Sequence, residues 1–369
     1  MKTGYHDDGP EDMVQSPDRS ESLYVTGVEY PSGYDWSSGK YDSTTASLLF
    51  LMKDGKRILE LPAGKGYGVS DDPSRHRCVG GHLYTDCPDG TETVVRMDGT
   101  ELFRYDGNES IVSFYVKEGI VYTLGILNYG PEGRLAFREN GRVLYETDGC
   151  LISPLYDDGE WCFSYSRSGK CNIYYGGEII EPEIGNGADT VLFAGIYGGR
   201  QICVAGSSAS GTYAVCADGV SFPLQTFGYD LIGQCRILQG RDSLYVYGEL
   251  NYSYDNLMSP HVWSLDGSLK CSASQYKRSF FTFVDGNDIY GFIGNQEYSP
   301  SITCFRNGNE LYSYGSGLDV MADPAAVVLE GNLYFIFVKK RGRRSPCIAV
   351  DSAVTEYGFN GFFSSISAW

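Results

Sequence analysis

The strongest constraint on this chain is a turn that keeps returning. Along 369 residues the dipeptides Asp54-Gly55, Asp98-Gly99, Asn140-Gly141, Gly176-Gly177, Asp218-Gly219, Asp266-Gly267 and Asn307-Gly308 recur at a mean spacing near 42 residues, with Asp351-Ser352 as a degenerate eighth. Asp-Gly and Asn-Gly accept the positive φ that both central positions of a type I′ hairpin require, and the twist of that turn matches the strands it joins. A fixed period of this length makes the chain an array of one supersecondary unit, which overrides the two or three domains that its length alone suggests.

Strand-like runs flank each turn, as in Arg134-Leu-Ala-Phe-Arg before Asn140-Gly141 and Arg142-Val-Leu-Tyr145 after it. A second marker lies upstream, an apolar residue followed by Tyr or Cys: Leu23-Tyr24, Leu83-Tyr84, Val121-Tyr122, Trp161-Cys162, Ile202-Cys203, Leu244-Tyr245, Ile289-Tyr290 and Leu333-Tyr334. A turn glycine and a further strand-like run precede seven of these markers. The unit is therefore strand, turn, strand, loop, strand, Asp-Gly turn, strand. The 47 Gly and 30 Tyr suit many short, twisted strands.

A four-stranded antiparallel unit repeated at this period resembles the blades of the WD40 and kelch-like β-propeller families. The resemblance covers Leu23 to Trp369, but neither the WD dipeptide nor the kelch pattern is present, so it implies a fold and transfers no functional residue. The chain also resembles exported bacterial propeller proteins of unknown function. The expected fold is all-β, a propeller of eight four-stranded blades, with seven as the alternative should one unit be misread. Residues 1–22 read as a polar, flexible leader and 23–369 as a single propeller domain. Leu23-Tyr24 has no strand ahead of it, whereas Gly361-Phe-Phe-Ser-Ser-Ile-Ser-Ala-Trp369 is surplus to the last unit. This segment is expected to be the missing first strand of blade 1, closing the ring and leaving no open edge.

A net charge of −18 opposes a nucleic-acid partner, because neutralising phosphates needs a basic surface. No apolar run is long enough for a membrane span. The polar leader, with a signal segment removed upstream, suits an extracytoplasmic protein of the periplasm or cell surface, and the cytoplasm is the alternative. Eleven Cys cannot all pair within one chain. Most fall on strand positions and read as small buried apolar residues, while Cys78 and Cys87 could form a local disulfide. No C-x-x-C spacing exists, so no metal site is expected, and nothing implies a cofactor. The four His are scattered and read as surface or packing residues. Neither the aspartate boxes of sialidases nor the tryptophan docking repeats of quinoprotein dehydrogenases occur.

Two readings of function remain. The first is a non-catalytic binding or scaffold propeller for a glycan, peptide or protein. The second is a polysaccharide hydrolase or lyase with carboxylates at the channel mouth. Insertions between the second and third strands favour the first, because repeat insertions on one face mark binding faces. Blade 1 carries Tyr34, Trp36 and Tyr41 there, blade 6 Tyr252 and Tyr254, and blade 7 Tyr298. Blade 8 adds Lys339-Lys-Arg-Gly-Arg-Arg344, the one concentrated basic run in the sequence. The expected ligand site is a patch of these tyrosines and Trp36 with Lys339, Lys340, Arg341, Arg343 and Arg344, suited to an anionic ligand.

Overall fold

The recurring turns work through the Asp or Asn side chain as well as through the backbone. The computed structural model describes residues 21–31, 34, 48–62, 75–106, 109–127, 133–184, 187–207, 209–251, 258–272, 277–295, 301–320, 324–341 and 343–369. In it Asp54, Asp98, Asn140, Asp218, Asn307 and Asp351 all hold φ between 45° and 53°. Each donates its backbone N–H to the carbonyl of a residue at the start of the second strand of the same unit, at 2.8–3.0 Å: Leu23, Leu83, Val121, Gln201, Ile289 and Leu333. The N–H of that residue is accepted in return by the side-chain Oδ1, at 2.9–3.1 Å. This two-bond clasp ties the hairpin of strands three and four to the turn between strands one and two. Asp and Asn serve because they tolerate the left-handed conformation and carry the acceptor.

Two blades depart from this pattern. Gly176 keeps only the backbone half, donating to Trp161 at 3.1 Å. Asp266 instead closes a turn of its own, accepting from the Ser268 N–H at 3.0 Å. Hydrogen bonds from the Ser264 and Ser268 hydroxyls hold its carboxyl well below the usual range. The clasp also corrects one marker: in blade 5 the structural equivalent of Leu83-Tyr84 is Gln201-Ile202, one residue before the expected Ile202-Cys203.

Eight antiparallel sheets result, the blade set of an eight-bladed β-propeller; the seven-blade alternative falls. Six blades use four strands consecutive in sequence. Blade 1 takes Gly361–Ala368 as its first strand, followed by Leu23–Glu29, Leu48–Lys53 and Lys56–Pro62. Blade 8 has its first strand in two pieces, Leu318–Asp319 and Ala326–Leu329, both paired with Asn332–Arg341. The blades fall into two compact units, one holding blades 1, 2 and 8 and the other blades 3 to 7.

Within each unit the apolar clusters take residues from successive blades, because a lone sheet cannot bury both of its faces. One joins Val338 of blade 8 to Val28, Leu49 and Phe362 of blade 1 and Cys78 and Leu83 of blade 2. Another joins Phe137 of blade 3 to Phe163 and Tyr174 of blade 4. The eleven cysteines are free thiols, nine of them buried, so Cys78 and Cys87 are not bridged and the apolar reading of the strand cysteines holds. His82 is exposed beside Asp98, its Nδ1 2.7 Å from Oδ2. His261 is buried against Trp263, and burial lowers its pKa.

The C-terminal strand closes blade 1 as expected. Leu23–Glu29 pairs with Gly361–Ala368 from Leu23↔Ala368 to Glu29↔Gly361. Ser22 and Trp369 extend the ladder with reciprocal backbone hydrogen bonds of 2.7 and 3.0 Å. A bulge between Thr26 and Gly27 gathers the hydroxyls of Thr26, Ser364 and Ser365 at 2.7 Å, all buried. Gly27 is obligatory there, since a Cβ would lie 2.4 Å from the Phe50 ring and 2.9 Å from the Phe362 carbonyl.

Deleting residues 361–369 is expected to abolish the cooperative melt of the whole domain, read by circular dichroism; a truncated chain that melts like the intact one would refute closure. The clasp has its own test. Asn140→Gly should cost about 1 kcal/mol through the lost acceptor, and Asn140→Ala about 1–2 kcal/mol more, because alanine must hold positive φ. Urea unfolding of the two variants gives that order: an Asn140→Gly variant as stable as the unmodified chain would show that the side chain plays no part, and equal losses for Gly and Ala would show that the positive φ costs alanine nothing.

Candidate functional site

The basic run of blade 8 forms the tip of a strand hairpin, not the loop expected from the sequence. Asn332–Arg341 and Arg343–Val350 pair to their ends, with Lys339↔Ser345, Lys340↔Arg344 and Arg341↔Arg343 opposite one another. Like charges placed directly across a ladder destabilise it. The blade answers from both flanks: Glu356 of the fourth strand meets Lys339 at 2.8 Å, and Asp319 of the divided first strand meets Lys340 at 2.6 Å. A hydrogen bond from the Lys340 N–H to the Gly317 carbonyl, 2.8 Å, fastens the same flank. The split of the first strand thereby gains a purpose, since Leu318–Asp319 braces a hairpin that outruns its neighbours.

Lys339 and Lys340 are thus each held by a carboxylate of the same blade. Tyr34 is half-buried rather than an open platform, with its ring 4.8 Å from that of Tyr30. Its carbonyl accepts from Asn360 Nδ2 at 3.4 Å. It packs against the apolar cluster shared by blades 8, 1 and 2, which contains Val338. Trp36, Tyr41, Tyr252, Tyr254 and Tyr298 lie outside the described residues.

Aligning the blades on the clasp exposes charged groups that the linear sequence conceals. Three residues after the clasped position stand Thr26, Asp86, Leu124, Ser164, Val204, Tyr247, Phe292 and Ile336. Asp86 is the one carboxylate in that column, and it is 1% exposed. A buried charge is costly unless paired, and here two guanidinium groups meet it. Arg75 lies 3.3 Å from one oxygen, and Arg77, on the first strand of blade 2, bonds the other. A second pair occurs where Glu109, fully buried, accepts from Arg138 of blade 3. The Arg138 guanidinium also lies 4.3 Å from the centre of the Tyr105 ring.

One column earlier stand Val25, Thr85, Thr123, Phe163, Cys203, Val246, Gly291 and Phe335. The missing side chain at Gly291 leaves an apolar pocket between blades 6 and 7, lined by Val262, Cys271, Ile289, Ile293 and Phe305. Burial pushes the thiols of Cys78, Cys162 and Cys271 up to about 11, and those of Cys171, Cys235 and Cys347 up to about 12. Such thiols are protonated at neutral pH and poor nucleophiles. Among the described residues no cluster of three His, Cys, Asp or Glu side chains could hold a metal ion. None of their helices is long and apolar enough to cross a membrane.

No family model matches the chain, and no curated protein matches it. Solved structures do. The chain is similar to a dihydro-heme d1 dehydrogenase, NirN, with a TM-score of 0.56 at 8% identity, over 94% of this chain and 74% of that one. It is similar also to a eukaryotic initiation factor, with a TM-score of 0.50 at 12% identity, over 94% and 99% of the two chains. At such identities the likeness establishes the propeller fold alone.

The Asp86 constellation predicts a stability pattern. Changing Arg75 and Arg77 together to Ala should cost about 3–5 kcal/mol by stranding a buried carboxylate. Adding Asp86→Leu should recover most of that, because Leu124 and Ile336 fill the same place in other blades. Urea unfolding of the double and triple variants decides the matter, and a triple variant no more stable than the double would show that the carboxylate is not the strained partner.

Proposed function

We propose that this protein is a binding or scaffold propeller that takes an anionic ligand, an acidic glycan or a carboxylate-rich protein segment, on the hairpin tip of blade 8. The observation that carries the reading is the register of that hairpin. Lys340↔Arg344 and Arg341↔Arg343 set like charges face to face, on a chain whose net charge is −18. A fold retains locally unfavourable arrangements where they serve a function. An anion lying across the tip would turn this repulsion into attraction, and a guanidinium group matches carboxylate or sulfate oxygens in geometry as well as in charge. Glu356 and Asp319 support the lysines beneath. Tyr34, Trp36 and Tyr41 of the blade 1 insertion are aromatic residues of a type suited to a sugar ring or a protein side chain.

Titration of a heparin octasaccharide and of an oligoglutamate peptide against three forms tests this reading and separates the two ligand sources. The Arg341→Ser, Arg343→Ser, Arg344→Ser triple variant should lose about tenfold or more in affinity, because charge-assisted bonds are worth roughly 1.5–3 kcal/mol each. The Lys339→Ser, Lys340→Ser variant should lose less. Binding should weaken as salt rises through the physiological range. If both probes bind all three forms equally, or bind none of them, the hairpin has no such role.

A further inference from the structure

Blades 3 and 4 carry an aromatic and acidic surface beside their first turns, on an edge of the blades that the ligand reading does not use. Trp161 opens the second strand of blade 4, and its ring is partly buried. Tyr122 lies 4.3 Å from it and Tyr115 5.5 Å, centre to centre. Phe137 backs it at 6.2 Å. Tyr115 is 37% exposed.

One more group stands over the indole, the ammonium of Lys117 at 5.7 Å from its centre. The same ammonium is 2.7 Å from a carboxylate oxygen of Asp157. Glu118 adds its own charge beside Lys117, while Asp158 and Glu160 act on neighbouring Tyr175. The Asp158 carboxylate has one buried oxygen without a hydrogen-bond partner. An aromatic face with a carboxylate at its rim is the chemistry that recognises an ammonium or guanidinium group. In this structure the chain supplies that cation itself.

Lys117 is poorly suited to be a permanent part of the fold. It is 45% exposed, sits at the end of a strand beside a turn, and is tied only through its flexible tip. An exposed ion pair of this kind contributes little to stability, so little is lost when it opens. A sugar ring fits less well, because the indole already has the Tyr122 ring and the Lys117 ammonium close to it. A cationic side chain needs only to take the ammonium's place.

We propose that the Trp161 indole and the Asp157 carboxylate form a recognition site for a lysine or arginine side chain of a basic partner protein, occupied in the free chain by Lys117. The partner's cation displaces Lys117, and the surrounding carboxylates favour a segment with further positive charge. This site takes the opposite charge from the hairpin of blade 8 and stands whether or not that reading holds.

An oligolysine peptide is the probe, titrated against the full chain and followed by tryptophan fluorescence and calorimetry. Lys117→Met should bind it about three- to tenfold more tightly than the unmodified chain, because the internal competitor is gone. Lys170→Met is the control for net charge, since Lys170 is likewise an exposed lysine paired to a carboxylate, Glu181, but lies away from the indole. It should leave the affinity unchanged. Asp157→Asn in the Lys117→Met background should return the affinity to the starting value or below. Thermal melting checks that each variant is folded. The proposal fails if Lys117→Met and Lys170→Met bind equally, which would reduce the effect to bulk attraction by an acidic chain. It fails also if a folded Lys117→Met variant binds no oligolysine.

Discussion

The structure depends on a clasp of two hydrogen bonds. An Asp or Asn at the tip of one hairpin reaches across the blade and secures both backbone groups of one residue at the start of the second strand. Four strands are thereby registered from one end, and the side-chain period of a strand then fixes which residues face each neighbouring blade. The opposite ends of the strands carry the connections between second and third strands. These span residues 30–47 in blade 1 and shrink to residue 342 in blade 8. A clasp at one edge lets a repeat vary the loops of the other without losing its register.

How far this was legible in the sequence follows from how local each signal is. The Asx-Gly turns announced the blades because one dipeptide holds the whole conformational requirement. Gln201 was missed because Ile202-Cys203 imitates the apolar-plus-Tyr marker one residue late, and only the bond to Asp218 reveals the shift. The Lys339–Arg344 run read as a loop because charged residues are poor strand formers on their own. What makes it a strand pair is Asp319 and Glu356, which lie 21 and 17 positions away along the chain from the lysines they hold. Tyr34 looked like a platform for the same reason, since its packing against Tyr30 and Asn360 is decided by tertiary contacts.

The buried charges teach a related lesson. Nothing around Asp86 in the linear sequence distinguishes it from a turn aspartate, and its singularity appears only when eight blades are superposed column by column. Repeats permit such a comparison within one chain. A position that is Thr, Leu, Ser, Val, Tyr, Phe or Ile elsewhere tolerates a carboxylate in blade 2 because Arg75 and Arg77 were placed to meet it. Gly291 is the converse case, a side chain withdrawn from a filled column, and the pocket between blades 6 and 7 is its imprint.

The pairing of Leu23–Glu29 with Gly361–Ala368 also sets a timetable. On the ribosome the chain emerges from its N-terminal end, and each of blades 2 to 7 has all its strands as soon as its own stretch is out. Blade 1 does not. Its second strand waits with one edge bare for the more than 300 residues of translation that separate it from its partner. At elongation rates of roughly 5–20 residues per second this amounts to tens of seconds. During that interval the bare edge is the one most open to pairing with a foreign strand. That exposure ends when Gly361–Ala368 has been made and takes its place beside Leu23–Glu29.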